Sequence, residues 1–322
     1  MTGIQWTDET LNPFRARYTE IGVTEEPVYT GWHCERVSPG CENCYAETFN
    51  FKRLGTGLQY TRPNRDRVEH FLDEKMLAKP LHWRKPRRVF ISSMTDVFGE
   101  WVPDEWLDRL FAVMALTPQH TYQILTKRPE RMREYMERGE HIGWSGIDAS
   151  QRIAGGLSLG YSLEPGKQNP NLQWPLPNVW LGVSVEDQRR ADLRVPDLLA
   201  TPAAVRFLSC EPLLGPLGFR WTPYAHQATG EDYRQYLERR GGVSEYEALR
   251  QIDWIICGGE SGSGARPMDL AWARGLRDQC QAAEVAFFYK QGGRGHRCPH
   301  DAHGGHFECF PDALKVRQFP NG

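Results

Sequence analysis

Three cysteines fall in one short run, Cys34-Glu-Arg-Val-Ser-Pro-Gly-Cys41-Glu-Asn-Cys44. Pro39 and Gly40 force a turn between them, so the three thiolates can converge on one point. Cys41 and Cys44 have the two-residue gap used by both zinc and iron–sulfur sites. A structural zinc site closes with a fourth protein ligand, and an electron-carrying [4Fe–4S] cluster usually takes four cysteines. Three cysteines leave one iron of a cubane open to a substrate or cofactor, an arrangement for chemistry rather than scaffolding. Two other readings stand beside it. His33 could complete a Cys3His zinc site, or the three thiols could be unrelated core residues, which Pro-Gly between them disfavours. A second group lies near the C-terminus, with Cys298, His300, His303, His306 and Cys309 in twelve residues. Those residue types suit a small zinc loop; the rival reading is a polar tail.

Residues able to do chemistry also sit where apolar runs end. Six such runs occur: Arg88-Val-Phe-Ile-Ser92, Thr121-Tyr-Gln-Ile-Leu125, Val179-Trp-Leu-Gly-Val183, Val205-Arg-Phe-Leu-Ser209, Asp253-Trp-Ile-Ile-Cys257 and Val285-Ala-Phe-Phe-Tyr289. Each is short, nearly continuous in apolar or β-branched residues and without clean alternation. Strands buried on both faces read this way, which predicts a parallel sheet covered by helices. A helix follows the first run, opened by Pro103 and Asp104 and striped by Trp106, Leu107, Leu110, Phe111, Val113 and Met114. Another, with Met132 and Tyr135, follows the second. The expected fold is α/β, a partial TIM-like parallel (β/α) barrel over residues 1–293 with about six recognisable strands and a C-terminal extension at 294–322. Stretches 137–177 and 221–250 break the rhythm and read as rim insertions or lids, the last with a helix at 230–240. In such a barrel the active site lies at the carboxyl ends of the strands. Those ends carry Ser92, Ser93, Asp96, Lys127, Ser184, Glu186, Glu211, Gly258, Gly259, Glu260 and Lys290. The competing explanation for any single end is ordinary turn or capping chemistry. Cys210, Cys257 and Cys280 read as small buried core thiols.

Composition narrows the classes. The 322 residues are 40% hydrophobic and 25% charged, which is ordinary for a globular protein and excludes global disorder. Thirty-nine basic against 41 acidic residues exclude a nucleic-acid binder working by bulk charge. The basic clusters at 84–88 and 127–138 read as solvated faces, or as phosphate contacts if the substrate is a nucleic-acid base. No stretch approaches the roughly 20 apolar residues that span a bilayer. The polar N-terminus lacks a signal-peptide pattern. A cytoplasmic location is expected, without membrane contact and with the 8 cysteines mostly reduced.

Three thiolates in the first loop of an α/β barrel resemble the radical S-adenosylmethionine (SAM) superfamily. The spacing differs from the usual Cys-x3-Cys-x2-Cys: the first gap is six residues, and the aromatic residue, Tyr45, follows the last cysteine. The wider chain resembles the phage and bacterial three-cysteine-motif proteins, a family of unknown function. The likeness is carried by Ile4-Gln-Trp-Thr-Asp8, Asn12-Pro13, Ser38-Pro-Gly-Cys-Glu-Asn-Cys-Tyr-Ala46, Ser93-Met-Thr-Asp96 and Ile124-Leu-Thr-Lys-Arg-Pro-Glu-Arg-Met132. It continues through Trp180-Leu-Gly-Val-Ser-Val-Glu186, Phe207-Leu-Ser-Cys-Glu-Pro-Leu-Leu-Gly215, Cys257-Gly-Gly-Glu-Ser-Gly262, Ala265-Arg-Pro-Met268 and Lys290-Gln291. In that family Asn-Pro sits close before the first cysteine, so 14–30 reads here as an insertion, a local lid. The resemblance implies a [4Fe–4S] cluster on Cys34, Cys41 and Cys44, SAM on its free iron, an electron donor, and a 5′-deoxyadenosyl radical. It implies Ser92, Ser93 and Asp96 for the SAM ammonium, Lys127 for its carboxylate, Ser184 and Glu186 for the ribose, and Gly258, Gly259 and Glu260 near adenine or methionine. Glu211 and Lys290 are the catalytic candidates. A nucleic-acid base is the substrate class that phage biology suggests. The rivals are a zinc-bearing, non-catalytic nucleic-acid or protein-binding module and a cluster used only for electron transfer.

Overall fold

The computed structural model describes residues 4–20, 28–141, 174–222, 235, 238–239, 241–242, 244–262, 264–296, 299–301 and 304–320. All six apolar runs are strands: β5 (Arg88–Ile91), β6 (Thr121–Thr126), β7 (Val179–Ser184), β8 (Val205–Cys210), β9 (Trp254–Gly258) and β10 (Ala286–Gln291). A seventh, β1 (Glu9–Leu11), joins them in one parallel sheet in the order β1-β5-β6-β7-β8-β9-β10. The protein is therefore α/β, with a partial TIM-like parallel (β/α) barrel, as the apolar runs predict. Every residue of β7 and of β9 is buried, the pattern of strands covered on both faces. Parallel neighbours need long crossovers, and helices supply them in the sequence. These are α1 (Tyr45–Lys52), the short α2 (Glu74–Leu77), α3 (Asp104–Leu116), α4 (Pro129–His141), α5 (Gln188–Ala200) and α6 (Leu270–Ala283).

The chain divides into two compact units, Met1–Val37 with Cys44–Trp180, and Ser38–Asn43 with Leu181–Gly322. In the first, β5 pairs with β1 and β6 in parallel register, Phe90 facing Thr10 and Gln123. Helix α3 has Asp104 and Glu105 in its first turn, where they complement the helix dipole, and buries Leu107, Leu110, Phe111 and Met114. The stretch 14–30 is partly strand: β2 (Phe14–Thr19) pairs antiparallel with β3 (Val28–Gly31) and with β4 (Glu69–Leu72). Most of 137–177 and of 221–250, including most of the expected helix at 230–240, lies outside the described residues.

In the second unit β8, β9 and β10 pair in parallel, with Phe207, Trp254, Phe287 and Phe288 in the core. The last described residues add to this packing. Phe288 bridges to Arg317, and Trp254 Nε1 donates to the Gln318 carbonyl at 2.9 Å. Gly182, in the middle of β7, is glycine for lack of room: a Cβ there would stand 2.5 Å from the Phe207 ring. Replacing it by valine must displace a fully buried aromatic. Gly182→Val is expected to cost about 1–3 kcal/mol, read as a lowered urea midpoint with an unchanged m-value.

Candidate cysteine-loop site

In the first unit Cys34 and Cys44, both partly buried, pack against a cluster of Ala46, Tyr60 and Met94, with Trp32 and Phe49 beside them. This is the carboxyl end of β5. Tyr60 Oη donates to the Met94 carbonyl at 2.8 Å, and Tyr45 Oη donates to that of Ser93 at 2.7 Å. Burial, then the neighbouring Cys34 and Cys44, pushes the Tyr60 phenol well up, so it stays a hydrogen-bond donor. Arg36 grips the buried Glu47 carboxylate through two bonds of 2.8 and 2.6 Å, and the Tyr60 amide donates to the same carboxylate at 3.3 Å.

The turn after β5 holds the candidates Ser92, Ser93 and Asp96. Ser92 is buried with a left-handed φ of 55°, and its hydroxyl finds no hydrogen-bond partner among the described residues. A strained, buried, unsatisfied hydroxyl at a strand end is a candidate ligand contact. Ser93 Oγ donates to Asn12 Oδ1 at 3.2 Å. Asp96 accepts from Thr126 Oγ1 at 2.6 Å, and at 3.0 Å from the Phe98 amide, the Lys127 amide and Arg128 Nη1. Its carboxylate thus ties the ends of β5 and β6 together, and Lys127 takes part through its backbone. The partly buried cation beside Cys34 is Arg128, lying over Trp101 at 4.9 Å. Burial works against its charge; Asp96 and then Cys34 more than restore it. In the sequence Arg128 sits within the basic cluster at 127–138, and nothing there marks it apart from a solvated face. His33, the suggested fourth zinc ligand, is buried edge-on to Trp101 at 5.0 Å and to His70 at 5.3 Å. Its Nε2 lies 3.7 Å from Glu35 Oε1.

The second unit holds Cys41. A short 3-10 turn, Pro39–Cys41, presents it, and the Cys41 amide donates to the Ser38 carbonyl at 2.9 Å. Two strand-end carboxylates reach this loop. Glu186, beyond β7, accepts from the Gly40 amide at 3.4 Å and from Arg194 Nη1 at 2.9 Å. Glu260, beyond β9, accepts from Asn43 Nδ2 at 2.9 Å and from Arg266 through its backbone amide, Nε and Nη2 at 2.8, 3.0 and 2.6 Å. Burial opposes the charge on Glu260, but Arg266 and Asn43 hold its carboxyl below the ordinary value. Glu186 and Glu260, expected beside a ligand, thus serve first as anchors of the cysteine loop.

Gly259 also has an internal role. A Cβ on Gly259 would meet the Gly292 carbonyl at 2.4 Å, so this glycine lets the turn close on the end of β10. The catalytic candidates do meet: Lys290 Nζ and Glu211 Oε1 form an ion pair at 2.5 Å, with Gln291 Nε2 at 3.4 Å. Ser184 is buried at the end of β7, and its carbonyl accepts from Arg194 at 2.7 Å. Cys210, Cys257 and Cys280 are buried with thiols pushed up by burial, as inert core residues are.

Of the C-terminal group, Cys298 and His303 lie outside the described residues. The His300 and His306 rings lie with centres 4.7 Å apart, tilted by 34°, and His306 Nδ1 lies 3.7 Å from Cys309 Sγ. Among the described residues no set of three or more His, Cys, Asp or Glu side chains is gathered as a metal site, here or at the three cysteines. The donor chemistry at 34–44 nevertheless fits an iron–sulfur group: three thiols, none in a disulfide and all partly buried. No helix among the described residues is long and apolar enough to cross a membrane.

Fold and loop together define a partial (β/α) barrel protein whose cysteine-bearing segments lie at the carboxyl ends of parallel strands within each unit. The chain belongs to DUF5131, a protein family of unknown function, whose sequence pattern matches residues 18–308. No curated protein and no solved structure matches it.

Two outcomes follow from the anchors. Asp96→Ala leaves the partly buried Arg128 without its counter-charge and should cost about 2–4 kcal/mol in chemical denaturation, with Asp96→Asn costing less. For Glu260 the native pKa is depressed, so its ion pair stabilises above the ordinary value of 4.5 and is lost as pH falls through the native value. Glu260→Gln should therefore be less stable than the parent at pH 7, with the gap closing below pH 4.5.

Proposed function

We propose that this chain is a radical SAM-type enzyme in which Cys34, Cys41 and Cys44 are the three thiolate ligands of a [4Fe–4S] cluster. The observation that carries this reading is the set of three unbridged, partly buried thiols on a partial (β/α) barrel. Each cysteine-bearing segment is tied, within its own unit, to residues that follow parallel strands: Met94 after β5, Glu186 after β7 and Glu260 after β9. That is the end at which such barrels place their chemistry. When bound, the cluster and SAM together supply a one-electron cleavage that yields 5′-deoxyadenosine's radical.

The chain's own residues would then bind and orient. The unsatisfied Ser92 hydroxyl and the neighbouring Ser93 are the first candidates for the SAM ammonium. Arg128, beside Cys34, replaces Lys127 as the better-placed cation for a carboxylate, because its guanidinium is already oriented by Asp96 and Trp101. Ser184 and the Gly258-Gly259 turn remain the contacts proposed for ribose and adenine. Glu211 and Lys290, paired at partly exposed strand ends, are the groups proposed to hold or move a proton on the substrate. The substrate class proposed is a nucleic-acid base.

Anaerobic reconstitution with iron and sulfide, reduction in the presence of SAM and assay for 5′-deoxyadenosine test the reading. The expected result is a brown protein that forms 5′-deoxyadenosine, with Cys41→Ala reducing it to background. A folded protein that takes zinc, rejects iron and leaves SAM intact would refute it and favour a zinc-bearing binding module.

A further inference from the structure

The loop Ser38–Asn43 is too short to hold its own shape. Its internal backbone bonds are Cys41 to Ser38 at 2.9 Å and Glu42 to Pro39 at 3.2 Å. A turn of this size does not persist without outside partners. Arg266 supplies two that flank Cys41. Its Nη2 donates to the Pro39 carbonyl at 2.9 Å, and its Nη1 reaches Glu42 Oε2 at 2.9 Å. Its Nε and Nη2 fork onto the two oxygens of Glu260, whose side chain is only 5% exposed. Asn43 adds a parallel tie to Glu260 and to the Gly264 carbonyl, both at 2.9 Å. One guanidinium thus bonds to the loop before Cys41, to the residue after it, and to a buried carboxylate at the end of β9. A lysine has a single point of charge and cannot hold three partners in fixed directions.

We propose that Arg266 is a positioning residue that sets the orientation in which Cys41 is offered to a metal centre. This rests on the cluster reading above, but its first test does not need a cluster. Arg266 is given no role in contacting substrate or SAM.

The experiment is hydrogen exchange on the full-length protein without metal, reading the Cys41 and Glu42 amides, with Ile255 and Ile256 of β9 as the folding control. Arg266→Gln should speed exchange at Cys41 and Glu42 at least tenfold and leave β9 unchanged, and Arg266→Lys should restore part of the protection. If Arg266→Gln unfolds β9, Asn43→Ala reads the same two amides with Arg266 in place and should speed them about threefold. Unchanged exchange at Cys41 and Glu42 in a folded variant overturns the proposal. Reconstitution then separates it from the cluster reading. Severalfold lower iron content and a broadened electron paramagnetic resonance signal in Arg266→Gln, partly rescued by Arg266→Lys, support both. Full iron loading with an unaltered signal in Arg266→Gln refutes the positioning role alone. A parent protein that takes up no iron, yet shows the exchange effect, refutes the cluster reading and leaves Arg266 as the residue that shapes the loop.

Discussion

Burial of a parallel sheet on both faces is the constraint from which the rest follows. Strands such as β7 and β9 have no solvent-facing side on which to carry polar groups. Polar chemistry is therefore displaced to the strand ends. At the carboxyl ends, residues leave the sheet with backbone amides and carbonyls to satisfy, and charged side chains collect there to do so. Asp96 after β5, Glu186 after β7, Glu211 after β8 and Glu260 after β9 are the result.

Each of these carboxylates is matched to a basic partner: Asp96 to Arg128, Glu186 to Arg194, Glu211 to Lys290 and Glu260 to Arg266. Isolated buried ion pairs contribute little net stability, because desolvation offsets their attraction. Their value lies in geometry. A buried carboxylate with its oxygens already engaged cannot swing, so whatever it holds is held in one place. For Glu186 and Glu260 that cargo includes the cysteine loop. The Glu211–Lys290 pair differs, since both side chains remain partly exposed and close to a strand end. This contrast separates the carboxylates that are sealed within the frame from the one that solvent still reaches.

The sheet was legible because continuous apolar runs such as Trp254-Ile-Ile-Cys257 have few alternatives to a doubly covered strand. Strand β1 was not legible: three residues, Glu9-Thr-Leu11, carry no pattern, and only the edge of β5 makes them a strand. The same holds for β2, where arginines alternate with buried Phe14 and Ala16, a pattern masked by its place in an apparent insertion. The cysteine spacing showed three thiols gathered in one short run. The partners that orient it were hidden because they are distant in sequence: Glu186 lies 146 residues from Gly40, and Arg266 lies 227 from Pro39. Arg128 was obscured differently. It stands next to Lys127, and only the folded position of Asp96 shows that its carboxylate takes the Arg128 guanidinium and the Lys127 backbone amide.

The central claim is that three cysteines hold a cluster with one iron left for SAM. The most direct measurement is the electron paramagnetic resonance spectrum of the reduced, reconstituted protein before and after SAM is added. The account predicts a [4Fe–4S]⁺ signal whose g-values shift on SAM addition, because SAM becomes a ligand of the open iron. A cluster signal that SAM leaves unchanged would contradict it and assign the cluster to electron transfer alone.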